Sequence, residues 1–362
     1  MTAASPLREI SFDILKKVQG GGYASDLLRR GTAGLPTRDA ALAESIVFGC
    51  LRRQSQLDFL IGHYSGRVSP KLDEEVRIAL RMGIFQLRYL DRIPAHAAVA
   101  ESVELVKRAR KKSAAGFVNA ILRKVNREPI VWPDRGTELC IPVWLLQQWE
   151  EYYGVPAAEG IAQAALAEPE SYINSATGRQ QDIGAQTIVP LLCIESGMTV
   201  LDLCAAPGNK TAQALAAGGK VTACDRYLRR LADVPAEAAR VALDAAEPLP
   251  FFVKFDRILV DAPCSGTGTL SRNPEIKWRL GPAALGEFAS RQRRILENAL
   301  ACLAPGGKLV YATCSLERLE NEDVVAGLPV AEIVHRIPGR DPGDGFFAAV
   351  ISPGAASGGI TP

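Results

Sequence analysis

The chain has 362 residues, of which 48% are hydrophobic, 23% charged and 6% aromatic. That is length enough for two domains and a sizeable core, and it excludes a disordered tail, a collagen-like chain and a small disulfide scaffold. The formal net charge is +2, but residues 1–128 hold 22 Lys+Arg against 13 Asp+Glu (+9) while the remainder holds 20 against 27 (−7). The basic segment suits a phosphate backbone, the plain alternative being an Arg-rich solvated face.

Residues 5 to about 128 read as helices only, an all-α bundle of about six helices. Val76, Leu80, Ile84 and Leu87 fall on one helical face, and Arg77, Arg81 and Arg88 on another. Residues 97–110 form a second amphipathic helix that ends in KRARKK (107–112). Cations suit a helix C-terminus. Five cations in six residues exceed what a cap needs, which makes Arg108, Arg110, Lys111 and Lys112 candidates for phosphate contact. Residues 116–125 read as one more helix. From 129 to 180 the periodicity weakens under Pro133, Pro142, Pro156 and Pro169, and the stretch reads as a linker with a short helix at Trp144–Tyr152.

From 181 onward short apolar runs alternate with helical ones. Strands are predicted at 198–204, 220–225, 240–244, 255–263, 308–315, 330–336 and 345–352, and a long helix at 282–303. Such alternation predicts a mostly parallel, doubly wound sheet, whose ligands bind beyond the carboxyl ends of the strands. The eight cysteines include no C-x-x-C pair, and the three histidines are isolated, so no metal site is written here. No run approaches the about 18 apolar residues of a membrane span. The first residues, MTAASPLREISF, carry no apolar signal core. A cytoplasmic chain without disulfides is therefore expected.

The strand ends carry the chemistry. CAAPGNKT (204–211) follows the first strand. Its small residues admit a ligand close to the backbone, and a helix starts near Asn209. It is neither G-x-G-x-x-G nor a triphosphate loop, so a nucleotide-like ligand without a triphosphate fits it. Asp225 is placed to accept from a ribose diol and Asp244 to reach an exocyclic amine; the plain reading of each is a helix cap. DAPCSGTG (261–268) places Asp261 and Cys264 beyond the fourth strand, and Cys314 ends the fifth. Neighbouring strands would turn both thiols into one crevice. A single strand-end cysteine reads as a small apolar core residue, but two with an Asp beside them read as reactive chemistry, with Lys210, Arg272 and Lys277 as candidate cations.

DLCAAPGNKT, DAPCSGTG and YATCS with Glu320 and Asn321 resemble motifs of the RNA 5-methylcytosine methyltransferases. ESIVFGCLRRQSQLDFLI, LRMGIFQLRYLDRIPAHAAVAESVELVK and GFVNAILR resemble the NusB-like RNA-binding domain. The combination is similar to the bacterial 16S ribosomal RNA cytosine-5 methyltransferases of the RsmB (Sun/Fmu) type, over about 6–126 and 181–352. The resemblance implies an all-α NusB-like bundle (1–128), a linker with a shortened RNA-contacting subdomain (129–180) and a Rossmann-like, seven-stranded class I methyltransferase domain (181–362). It implies S-adenosyl-L-methionine as methyl donor, held by Cys204, Ala205, Ala206, Pro207, Gly208, Asn209, Lys210, Asp225, Asp244 and Asp261. It also implies attack by Cys314 on C6 of a cytosine, stabilisation at N3 by Asp261 and release helped by Cys264. The implied partner is RNA, 16S ribosomal RNA rather than DNA, met by Arg272 and Lys277.

Three departures accompany it. Only about ten residues separate Glu170 from Gln181, where the family carries a small α/β subdomain. The stretch from Asp225 to Asp244 is short and contains Pro235, and Asn209 stands where the family commonly has Gly. They keep a second reading open, a catalytically impaired RNA-binding relative that retains fold and cofactor pocket. A small-molecule methyltransferase leaves the basic domain and the second cysteine unexplained.

Overall fold

The computed structural model describes residues 4–66 and 71–352. The chain divides into two compact units. The first runs to Gln148 and takes in Ala165–Ala167 and Ser271–Trp278; the second comprises Trp149–Ala164, Glu168–Leu270 and the chain from Arg279 onward.

The first unit is helical: α1 (Pro6–Gln19), α2 (Ala24–Gly31), α3 (Thr37–Arg52), α4 (Gln54–Ser65), α5 (Glu74–Tyr89), α6 (Ala95–Arg108) and α7 (Ala115–Leu122). Among the described residues up to 128 these seven helices accord with the about six that the periodicity predicts. Helix α5 shows why these segments are helical. Glu74 and Glu75 occupy its first turn and Arg88 its last, matching the macrodipole. Of the predicted apolar face, Val76, Leu80 and Ile84 are buried and Leu87 packs partly buried against the same core, with Leu57, Leu60 and Val118 from α4 and α7. Arg81 is buried too, its guanidinium gripping both carboxylate oxygens of Asp58 at 2.7 Å.

Residues 129–166 are more ordered than a linker. They contain α8 (Arg135–Leu139), α9 (Val143–Tyr153), which is the short helix predicted at Trp144–Tyr152, and α10 (Val155–Leu166); Pro133, Pro142 and Pro156 stand at or near the three helix starts and disguise the other two. Gln56 Nε2 donates to Glu138 O at 2.7 Å within the first unit. Within the second, the Trp149 indole donates to Glu317 at 3.0 Å and the Tyr153 hydroxyl to Leu316 O at 2.6 Å.

The second unit continues with α11 (Ile183–Gln186), β1 (Thr199–Leu203), α12 (Asn209–Ala216), β2 (Lys220–Asp225), β3 (Ala239–Ala242) and β4 (Phe255–Asp261). After α13 (Ile276–Arg279) come α14 (Pro282–Ala301), β5 (Leu303–Thr313), α15 (Glu322–Val325), β6 (Val330–Arg336) and β7 (Phe346–Ile351). The seven strands lie in the order β3-β2-β1-β4-β5-β7-β6. All neighbouring pairs are parallel except the two that β7 makes. Alternate residues pack on opposite faces. Leu201, Leu203, Ile258, Val260 and Tyr311 meet Ile295 and Leu296 of α14. Val200, Leu259, Val310 and Ala312 meet Ala214 of α12 and Ile188, Val189 and Leu192. The strand order reverses between β1 and β4, and in such sheets the crevice opens at the carboxyl ends there.

The shortened stretch 171–181 closes on itself. Ile173 bridges Gln180, and Asn174 Nδ2 donates to Gln181 Oε1 at 2.9 Å. Gln181 Nε2 donates to Gln213 of α12 at 2.8 Å. A buried amide chain thus satisfies polar groups that a clipped loop would otherwise leave unpaired. Between β2 and β3 the short stretch forms a 3₁₀ turn, Leu228–Asp233. Among the described residues no helix is long and apolar enough to cross a membrane.

Candidate active site

Four chain segments supply the site within the second unit. After β1 the loop 204–208 turns sharply: Cys204 has φ 69° and Gly208 φ 97°. A Cβ on Gly208 would lie 2.7 Å from Val234 Cα, so only glycine lets this loop lie against residues 234–235. Ala205 N donates to Cys224 O at 2.7 Å and Gly208 N to Ala205 O at 2.8 Å, and Arg230 reaches Ala206 O at 3.2 Å. Pro207 lies between them. Asn209 opens α12; its Nδ2 donates to Gln180 O at 3.2 Å, and its Oδ1 accepts from Arg179 at 3.4 Å. The departure at Asn209 thus fastens this loop to the shortened stretch.

Lys210 projects from the first turn of α12 onto Asp261, the last residue of β4, with Nζ 2.7 Å from Oδ2. Burial works against its charge, but the carboxylate of Asp261, helped by Cys314 and Asp202, holds the ammonium pKa above its ordinary value. Asp202 lies beneath, on β1. It accepts from Thr211 at 2.6 Å through one oxygen, and the other has no hydrogen-bond partner among the described residues. Burial raises its pKa to about 7.

Cys264 and Cys314 meet as the parallel strands β4 and β5 predict, with their sulfurs 3.4 Å apart. Contact with Cys314 comes first among the causes that raise the Cys264 thiol pKa, followed by burial and by the charges of Cys314 and Glu320. All eight cysteines are free.

A cleft of about 270 Å³ adjoins the loop after β1, lined by Cys204, Asp225, Tyr227, Leu243, Asp244 and Phe288 among others. Asp225 is buried at the end of β2, and Arg230 lies 3.4 Å from it. Asp244 stands two residues beyond β3 rather than at its end. It accepts from Arg291 at 2.6 Å and has Arg226 at 3.4 Å. Burial opposes its charge, but the Ala246 N–H and Arg291 bring its pKa below the ordinary carboxylate value. Arg226, Arg230, Arg291 and Phe288 were not singled out from the sequence. The signal for the first was its place directly after the β2 carboxylate, and for Phe288 and Arg291 their spacing of three on α14. A buried carboxylate at a strand end and apolar walls beside it fit an adenosyl group.

The predicted RNA contacts divide. Lys277 belongs to the first unit and is fully buried. Its ammonium donates to Arg52 O at 3.0 Å, and the Trp278 indole donates to Leu51 O at 2.6 Å. These carbonyls end α3, where backbone acceptors lack helical partners. Lys277 is therefore a helix cap and presents no cation to a phosphate, which corrects the expectation. Arg272, in the same segment, is half-buried. At the end of α6, Arg108 is held by Asp13 at 2.8 Å and Lys111 by Asp73 at 2.9 Å. Arg110 and Lys112 are exposed, without an ion pair among the described residues.

Residues 189–328 match the family model for 16S rRNA methyltransferase RsmB/F, and residues 5–127 that of the NusB family. The chain is 35% identical to the ribosomal RNA small subunit methyltransferase B of Thermus thermophilus, over 90% of this chain and 87% of that one. It is 30% identical to the protein of the same name from Erwinia tasmaniensis, over 96% of this chain and 99% of that one. The latter alignment runs to 425 positions against the 362 residues here, so that relative carries residues this chain lacks. The crystal structure of PH0851 shares the fold, with a TM-score of 0.77 at 19% identity over 97% of this chain and 100% of that one.

Proposed function

The chain belongs to the RsmB/F family of 16S ribosomal RNA methyltransferases, and from that premise we propose that it methylates C5 of a cytosine in 16S ribosomal RNA through a covalent adduct with Cys314. The observation that carries this reading is the pair of sulfurs 3.4 Å apart at adjacent strand ends, beside the Lys210–Asp261 pair. One nucleophile needs no second thiol in contact with it, whereas a reaction that both attacks C6 and strips a proton from C5 has a use for each.

S-adenosyl-L-methionine supplies an electrophilic methyl group on sulfur, and the cleft with Asp225, Asp244 and the loop 204–210 is where it would be held. The thiolate of Cys314 adds to C6, forming a carbon–sulfur bond and moving the ring electron pair onto C5, which would take the methyl group as the donor's sulfur–methyl bond breaks and its electron pair stays on that sulfur. Asp261, protonated for this step, donates to N3, where charge develops, and takes the proton back when the adduct collapses, with Lys210 holding its side chain in place. Cys264 then removes the C5 proton. The electron pair restores the C5–C6 double bond, the carbon–sulfur bond breaks, and Cys314 leaves as thiolate. Bonding of Cys314 to carbon removes the neighbouring charge that opposes ionisation of Cys264, so this thiol can give its own proton to solvent and stand as the thiolate that takes the C5 proton. The base must leave its stack to reach the sulfurs, which favours single-stranded or loop RNA.

The test is transfer of labelled methyl groups to unmethylated 16S ribosomal RNA. Incorporation at cytosine C5 is expected, with none in Cys314→Ala. Cys264→Ala is expected to accumulate an RNA–protein adduct that survives denaturation. Methyl transfer by the intact chain without an adduct in Cys264→Ala overturns the division of roles. Cofactor binding without incorporation would favour the non-catalytic relative.

A further inference from the structure

Glu320 is fully buried in the 3₁₀ turn after β5, and its side chain binds both cysteine loops. Its Oε1 accepts from Ser265 N at 2.8 Å and from Gln292 Nε2 at 3.0 Å. Its Oε2 accepts from the Ser315 hydroxyl at 2.6 Å and contacts the Ser265 hydroxyl. Ser265 directly follows Cys264, and Ser315 directly follows Cys314. Each sulfur of the touching pair thus lies one residue from a group that Glu320 grips.

The two loops do not depend on that grip equally. The Cys314 loop has bonds of its own. Ser315 N donates to Thr313 Oγ1 at 3.2 Å, Asn321 Nδ2 donates to Ser315 O at 2.9 Å, and Cys314 O accepts from Gly268 N at 2.9 Å. None of these three involves the Glu320 side chain. At Cys264 the bonds converge on it. The peptide N–H after Cys264 is that of Ser265, which donates directly to Glu320. The carbonyl before Cys264 is that of Pro263, which accepts at 3.0 Å from Gln292, the amide that also donates to Glu320. Without Glu320 the buried Ser265 N–H loses its acceptor, and a buried donor in that position shifts to find another. Side chains hold a reactive geometry only as well as the bonds behind them do.

We propose that Glu320 is a positioning residue that keeps Cys264 against Cys314, and so serves release of the base rather than attack on it. The proposal rests on the reading of Cys314 as nucleophile and of Cys264 as the residue that releases it.

Two readouts on the intact chain test it. The first needs no RNA. Diamide takes one hydrogen from each of two neighbouring thiols and joins their sulfurs, so the rate of Cys264–Cys314 disulfide closure, followed by peptide mass spectrometry, reports how closely the sulfurs are held. Closure is expected to be about 10²-fold slower in Glu320→Ala than in the wild type, the scale of a displacement of about 1 Å. Glu320→Gln removes the charge but keeps an oxygen for Ser265 N, and is expected to restore most of the rate. Closure at the wild-type rate in Glu320→Ala overturns the proposal, and so does a Glu320→Gln variant as slow as Glu320→Ala. If Glu320→Ala does not fold, Gln292→Ala takes its place: a smaller slowing is expected, and an unchanged rate overturns the proposal.

The second readout is the covalent RNA–protein adduct formed with methyl donor present. Attack persists while release slows, so Glu320→Ala is expected to accumulate an adduct as Cys264→Ala does. A general loosening of the site would lower attack as well and leave no adduct, so slowed closure without an adduct overturns the role in release. The premise is read separately, in Cys264→Ala with Glu320 in place. No adduct there, from a chain that methylates RNA, overturns the division of roles between the thiols. An adduct there and none in Glu320→Ala overturns only the role of Glu320.

Discussion

A lysine ammonium buried without a carboxylate is costly to keep charged. Lys277 is so placed, bonded to the Arg52 carbonyl, and burial lowers its pKa from 10.5 to about 7. The sign of the consequence follows from linkage. Below about pH 7 both folded and unfolded chains hold the proton, and the folded state bears the full penalty. Between about 7 and 10.5 the unfolded chain binds the proton that the folded chain has lost, so stability rises with pH. Lys277→Met should therefore raise the urea midpoint most on the acid side of neutrality, by on the order of several kcal/mol in stability, with the gain shrinking towards high pH. A gain equal at both ends would show that the ammonium is not the source of the cost. Cys264, Cys314 and Asp261 were legible because a residue at a strand end is placed by topology alone. Lys277 was not, because its role depends on which element its segment packs against, and no local pattern records that.

The catalytic loops are separate elements that must converge, and Gly268 is where they do. Its N–H donates to Cys314 O at 2.9 Å, and its carbonyl accepts from Gly345 N at 2.8 Å. The loops after β4 and β5 and before β7 thus meet at one glycine. A Cβ there would lie 2.4 Å from Gly345 O and 2.8 Å from Cys314 O, and backbone cannot swing aside as a side chain can. Gly268→Ala should cost about 1–3 kcal/mol in stability and reduce methyl transfer by roughly 10²-fold through misplacement of the thiol pair. Gly286→Ala on α14, where a Cβ would meet nothing within 4 Å, is the control and should cost neither. Denaturation midpoints and single-turnover rates read the two effects, and a Gly268→Ala enzyme with wild-type rate would mean the loops have slack. The elements of the second unit were readable: short apolar runs alternated with helical ones, and all seven predicted strands form. Of the helices of 129–166 the one at Trp144–Tyr152 was readable and the other two were not, because proline at a helix start looks the same in sequence as proline in a loop.

Across the whole molecule the charge is divided, +9 in residues 1–128 and −7 beyond, and the sequence made that division plain. It did not show how many of those cations remain available. In KRARKK, Lys107, Arg108 and Lys111 are engaged by Glu104, Asp13 and Asp73, whereas Arg110 and Lys112 are exposed and carry no ion pair among the described residues. A cation already paired with a carboxylate gives up that partner on meeting a phosphate, so its net contribution is small; an unpaired one releases a counterion from the RNA. RNA affinity should therefore fall steeply with salt. The double variant Arg110→Ala, Lys112→Ala should flatten the slope of log K against log salt by about 1.4, two single-strand phosphate contacts. Arg108→Ala should change it by less than about half that. Filter binding to single-stranded RNA over a salt series measures all three slopes. A larger loss in Arg108→Ala than in the double variant would show that the paired cation exchanges its carboxylates for phosphate, and that net charge rather than the unpaired cations directs RNA to this end of α6.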